Sequence, residues 1–176
     1  MTMTTALLDR SDVAGARASL DRIDPKRLST ANDRALIAVL QARLAMAEGR
    51  PLEARKTLAD ALRADGYPTA STGAAYQLLD YASRFALDAG EREQAIAFAR
   101  DEVRFCDRDM GTDQPSANTG RAHLRLGLAL AESGRAADAR AELERAETVI
   151  AQAAGPDHPW TRDARSALQR MSSATR

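Results

Sequence analysis

HLRLGLALAESGRAADARAELERA, residues 123–146, decides the fold. Gly134 divides it, and Ala139 follows that glycine by five residues. The same pairing recurs at Gly49 and Ala54 and at Gly90 and Ala95, each time between two stretches of helical pattern. The chain therefore reads as a stack of helix–turn–helix units. Such a stack buries its core between neighbouring repeats and leaves one long concave wall free. A wall of that kind is suited to holding other proteins rather than to performing chemistry.

Working outward, Leu36, Ile37, Leu40, Leu44 and Ala47 fall at three-and-four spacing and predict an amphipathic helix over 30–48. Ser29 or Thr30 can cap its start, and Gly49 ends it. Pro51 then sits in the first turn of a second helix carrying Leu52, Ala54, Leu58, Ala61 and Leu62. DGYPTASTG, residues 65–73, predicts a long polar turn. Further helices are expected at about Ser71–Ala89, Glu91–Asp107, Ser116–Ser133, Arg135–Ala153 and His158–Met171.

The third unit repeats the second at a constant offset of 44 residues. Gly90, Ala95, Gly111, Asp113 and Pro115 match Gly134, Ala139, Gly155, Asp157 and Pro159. The first and second units are offset by 41, so variation is confined to the long loops. At the amino end, Ser11, Ala16, Leu20 and Ile23 reproduce the spacing of Gly134, Ala139, Leu143 and Ala146. Only Met3–Arg10 remain for the preceding helix, which predicts either a unit cut from a longer array or a short capping turn.

Small residues belong where paired helices cross, because they let the axes approach to roughly 8–10 Å. Ala42, Ser83 and Gly127, each seven residues before a turn glycine, meet this need on the first helices. Ala54, Ala95 and Ala139 do so on the second, with Leu58, Ala99 and Leu143 one turn later. The turn glycines are expected at positive φ.

With these residues in place, the third unit resembles the tetratricopeptide repeat, whose pattern is W-x2-L-G-x2-Y, then A-x3-F, then P. Leu126 and Gly127 match the L-G pair, Leu130 stands for the tyrosine, and Ala139 with Leu143 match A-x3-F. His123 replaces the tryptophan, and the proline is displaced into the loop Gly155–Pro159. The repeat length of 42–44 residues is similar to the kinesin-light-chain subclass. The resemblance covers about residues 11–172; Glu102 departs from it at a usually small position. It implies an all-α, right-handed α-α superhelix, a TPR-like solenoid over residues 1–176. Its parts would be a partial repeat (3–28), repeats at about 30–68, 71–113 and 116–156, and a capping helix (158–172).

Composition narrows the function. Twenty-five basic residues balance twenty-five acidic ones, and basic residues never run beyond the pairs Lys26–Arg27 and Arg55–Lys56. Neither nucleic acid nor a membrane is an expected partner. The start lacks the features of a secretory signal, and no apolar run approaches the ~18 residues of a membrane span. A cytoplasmic location is the expectation. Cys106 is the sole cysteine and cannot pair internally; its simplest reading is a half-buried apolar residue. His123 reads as a packing residue and His158 as a helix cap. Asp107, Asp109 and Asp113 only loosely imitate a calcium loop, because the required central glycine and terminal glutamate are misplaced. No phosphate-binding loop, metalloprotease motif or nucleophile elbow occurs. No catalytic residue, metal or cofactor is expected, and the chain reads as a non-enzyme.

In the tetratricopeptide family, the first helix of each pair lines the concave groove. Carried over, this places Leu36, Val39, Arg43 and Met46 there, then Gln77, Asp80, Arg84 and Leu87, then Arg121, Leu124, Leu128 and Ala131. The wall is an apolar strip bearing three arginines, which suits an acidic-hydrophobic peptide or an amphipathic helix. Groove asparagine and lysine are absent, so chaperone-tail recognition by a carboxylate clamp is not expected. The final helix, with Trp160, Ala164, Ala167, Leu168 and Met171 on one side, is expected to cover the last pair; alternatively Trp160 marks a homodimer or interdomain contact. The leading expectation is a protein-binding adaptor or scaffold. The alternative is a regulatory or sensor domain of a larger signalling system, such as a kinase or transcription regulator.

Overall fold

The Gly–Ala spacing has a hydrogen-bonding cause. The Gly134 amide donates to the Ala131 carbonyl (3.0 Å) and the Arg135 amide donates to Leu130 (3.0 Å). This closure of a helix end requires a left-handed residue at its centre, and Gly134 has φ +75°. Arg135 is at the same time the N-cap of the next helix, its carbonyl accepting from the Ala139 amide at 2.9 Å. Ala139 is thus the first residue to donate into the new helix, and turn geometry fixes the five-residue separation. Gly49 (φ +72°) and Gly90 (φ +77°) close the same way, through Arg50 to Ala45 (2.8 Å) and Glu91 to Ala86 (2.9 Å).

A fourth copy of this turn has no glycine. Ser11 stands at φ +59°, its amide donating to Leu8 (3.1 Å), while Asp12 donates to Leu7 (2.8 Å). Asp12 then caps the following helix by accepting from the Gly15 amide at 2.9 Å.

The computed structural model describes residues 2–24, 28–64, 72–110 and 116–174. The helices among them are α1 (Thr2–Asp9), α2 (Val13–Asp21), α3 (Ala31–Ala47), α4 (Pro51–Arg63), α5 (Thr72–Asp88), α6 (Arg92–Met110), α7 (Ala117–Glu132), α8 (Ala136–Ala154) and α9 (Pro159–Ala174). No strand occurs among the described residues. The opening helix is short, as Met3–Arg10 allows. Of the two candidate caps for α3, Thr30 is the one used: its hydroxyl accepts from the Asp33 amide (3.0 Å) and its own amide donates back to Asp33 (3.3 Å). Pro51 opens α4. Residues 65–71 of the expected polar turn, and the loop residues Gly111, Asp113 and Pro115, lie outside the described residues.

The chain divides into two compact units, residues 1–85 and 86–176. In the first, α1 packs on α2 and α3, and α3 pairs with α4. Its core includes Ala16, Ile37, Leu40, Ala42, Leu44, Ala54, Leu58, Leu78 and Leu79. Arg17 and Arg50 both donate to Glu48, tying α2 to the α3–α4 turn.

In the second unit, α7 packs between α6 and α8, and α9 lies on α8 and α7. One core cluster joins Ile96, Leu126 and Leu130 to the small residues Ala86, Ala95, Ala99, Ala129 and Ala139. Another joins Leu124, Leu143, Ala146 and Ile150 to Ala164 and Ala167 of α9, with Trp160 and Leu168 against it. Met171 borders both clusters. Two glycines set the approach of α7 to α8. A Cβ on Gly127 would lie 2.7 Å from Leu143 Cγ, and one on Gly120 would lie 2.4 Å from Ile150 Cγ1. Thr161, fully buried, donates to the Gly155 carbonyl (3.0 Å), and Arg165 donates to Glu147 (2.6 Å), fastening α9 at its start and middle. Glu102, at the position of Ala146 one unit on, is buried as completely as that alanine.

Candidate functional site

The first-helix residues named from sequence divide by burial. In the first unit, Leu36, Arg43, Met46 and Gln77 are half-buried and Arg84 is exposed. Val39 (2% exposed) and Asp80 (1%) are core residues instead. In the second unit, Leu87, Arg121, Leu128 and Ala131 are half-buried, whereas Leu124 (6%) belongs to the core cluster with Leu143 and Ile150. Val39, Asp80 and Leu124 therefore present almost no surface to a partner. A helix of a stacked repeat packs on more than one side, and spacing alone does not separate the side facing its partner helix from the side facing solvent.

Two of the three arginines are already engaged. The Arg43 guanidinium lies over the Tyr81 ring, 5.5 Å from its centroid, and Nη2 donates to Asp9 Oδ1 at 2.5 Å. Arg43 is thereby held between α5 and the end of α1. The Arg121 guanidinium lies over the Trp160 ring at 4.8 Å. Trp160 in turn meets His158 edge-on at 5.0 Å. A cation over an aromatic face gains about 0.5–1 kcal/mol where exposed and about 2 when desolvated. Arg84 makes no ion pair among the described residues and stands in solvent.

Asp9, Tyr81 and Trp160 are thus neighbours of the candidate residues that spacing did not supply. The available signal was compositional: with aromatics at 4% of the chain, a tyrosine on α5 and the sole tryptophan on α9 are natural faces for an arginine. The Asp9 pairing crosses 34 residues and leaves no periodic trace.

The two histidines join helices or cap them. His123 is 3% exposed and its Nδ1 lies 2.6 Å from Glu142 Oε2, joining α7 to α8. His158 accepts the Trp160 amide at Nδ1 (3.3 Å) and, through its carbonyl, the Arg162 amide (3.1 Å), so it caps α9 as expected. Cys106 is fully buried rather than half-buried. Among the described residues no cluster of three His, Cys, Asp or Glu could hold a metal ion, and Asp113 of the expected acidic loop lies outside them. No helix among them is long and apolar enough to cross a membrane.

No family model and no curated protein matches this chain. Solved structures do. Two crystal structures of a Podosopora anserina protein, described as a kinesin light chain with nearly identical TPR-like repeats, match 99% of this chain and 84% of their own. Their TM-scores are 0.74 and 0.73, at 19% and 18% identity. The structure of BtubC (BKLC) from P. vanneervenii matches 98% of this chain and 78% of its own, with a TM-score of 0.68 at 16% identity. At such identities the likeness is one of fold. By fold, this all-α chain is a TPR-like helical-repeat solenoid similar to these kinesin-light-chain-like proteins.

Proposed function

We propose that this chain is a non-catalytic interaction module, an adaptor or scaffold of the cytoplasm that holds a peptide or helix of a partner protein along the first helices of its repeats. Residues 1–176 act as one repeat domain in this reading. The observation that carries it is the repeat fold itself, shared over nearly the whole chain with TPR-like structures, since folds of this type generally serve protein interaction. What remains accessible in each unit supports it: on α3 and α5 of the first unit, half-buried Leu36, Met46 and Gln77 and the exposed Arg84, and in the second unit, half-buried Leu87 and Leu128. Apolar anchors rimmed by arginine suit a helix or strand with hydrophobic and acidic side chains.

Affinity capture from native lysate tests it. Wild type is compared with Arg84→Glu on a first helix and with Arg100→Glu on the exposed side of α6. Loss of the captured protein by Arg84→Glu alone supports the reading. Equal capture by all three moves binding away from the first helices, and capture by the second-helix surface alone overturns the reading.

A further inference from the structure

Arg43 has the environment of a carboxylate receptor that is occupied from within. Its guanidinium is seated against the Tyr81 ring at 5.5 Å, and its side chain is only 17% exposed, so its plane is set before any ligand arrives. Arginine presents its donors as a rigid fork that matches a carboxylate with two parallel bonds. Asp9 fills that place with one contact, Nη2 to Oδ1 at 2.5 Å.

The occupant is held far less firmly than the receptor. The Asp9 side chain is 61% exposed. It is the last residue of α1, a helix of eight residues, and a carboxylate at a helix C-terminus opposes the macrodipole. So short a helix has little stability of its own. An ion pair this exposed contributes little, and a factor of about two to five covers its usual effect on an equilibrium. A partially buried arginine with a weakly held internal carboxylate is poised for exchange.

We propose that Arg43, backed by Tyr81, is a carboxylate-binding position for an acidic segment of the partner, and that Asp9 of α1 occupies it in the free chain. The inference rests on the reading that α3 faces a partner, and adds which chemistry is recognised and what must leave. The incoming Asp or Glu takes the fork with two bonds where Asp9 makes one, and Asp9 moves into water. The apparent affinity of the site is lowered by the fraction of chains in which Asp9 is bound.

The test uses the full chain and two fluorescein-labelled amphipathic peptides, one with Leu and Asp at helical spacing and one with every Asp replaced by Asn. Fluorescence anisotropy is read for wild type, Asp9→Asn, Arg43→Gln and the double variant. The expected result is a tightening of the Asp peptide by about two- to five-fold in Asp9→Asn, with the Asn peptide unchanged. Arg43→Gln abolishes the preference for Asp over Asn and cancels the effect of Asp9→Asn in the double variant. Asp9→Asn alone suffices if Arg43→Gln fails to fold, because Asp9 is exposed. Equal response of both peptides to Asp9→Asn, or none, overturns the inference while leaving the interaction module standing. Absence of binding of either peptide to Asp9→Asn also overturns it, and the module is then judged by the Arg84→Glu capture alone.

Discussion

Leu143 fills the space that a side chain on Gly127 would take. A Cβ at 127 would meet Leu143 Cγ at 2.7 Å, Cδ2 at 2.9 Å and the backbone nitrogen at 3.2 Å. Leu143 is fully buried, so its side chain has nowhere to retreat, and its backbone belongs to α8. Two effects of Gly127→Ala therefore oppose each other. Alanine favours the helix by about 1 kcal/mol, whereas overpacking costs about 1–3 kcal/mol. The contact with a fixed backbone atom decides the sign. Urea unfolding is expected to show net destabilisation, and Gly120→Ala, with Ile150 Cγ1 at 2.4 Å and its backbone nitrogen at 3.0 Å, a larger loss. A gain in stability at either glycine contradicts this packing.

The turns give a paired prediction of opposite sign. Ser11 holds φ +59° without being glycine, while Gly134 holds φ +75° with open space where a Cβ would project. Ser11→Gly is expected to raise stability by about 0.5–1 kcal/mol, relieving left-handed backbone at an exposed site. Gly134→Ala is expected to lower it by about 1 kcal/mol for the same reason. Thermal melts of the two variants check both signs.

Ala139 is fully buried beside Leu130 and Ile96. Ala139→Leu adds volume at the α7–α8 closure and is expected to cost about 1–3 kcal/mol. An unchanged melting temperature would place the helix crossing elsewhere.

Much of this was legible because local chemistry repeats. The Gly–Ala spacing follows from one helix closure and the next helix's first donated hydrogen bond, both settled within six residues, so α3–α4, α5–α6 and α7–α8 are readable from sequence. Gly120 carries no such local mark, because its need arises from Ile150, thirty residues away across the pair. The candidate wall was less legible for the same reason. Val39 and Leu124 share a helical face with Leu36 and Leu128, yet burial separates them, and only the position of the packed neighbours decides it. The engagement of Arg43 by Asp9 and of Arg121 by Trp160 depends on side chains from other elements that no spacing rule connects.

Glu48 carries the pH dependence that the structure supports. Its carboxyl is held below its ordinary value of 4.5 chiefly by the hydrogen bond from Arg50; desolvation, the next largest effect, pushes it up, and the hydrogen bond from Arg17 with the charges of both arginines keeps the net shift downward. A depressed folded-state value means the contribution is present above about pH 4.5 and lost as pH falls through the folded value. Glu48→Gln is expected to remove that contribution above pH 4.5 and flatten the acid limb of the melting temperature against pH. An acid limb identical to wild type would contradict the role of this ion network.

The most direct measurement of the central claim is site-specific photo-crosslinking to the captured partner. A photoreactive amino acid is placed in turn at Gln77, Arg84 and Leu128 on first helices, and at Ala97, Arg104 and Ala141 on exposed sides of second helices. The account predicts crosslinks from the first three positions and none from the last three. Crosslinks from α6 and α8 without any from α5 and α7 would contradict it.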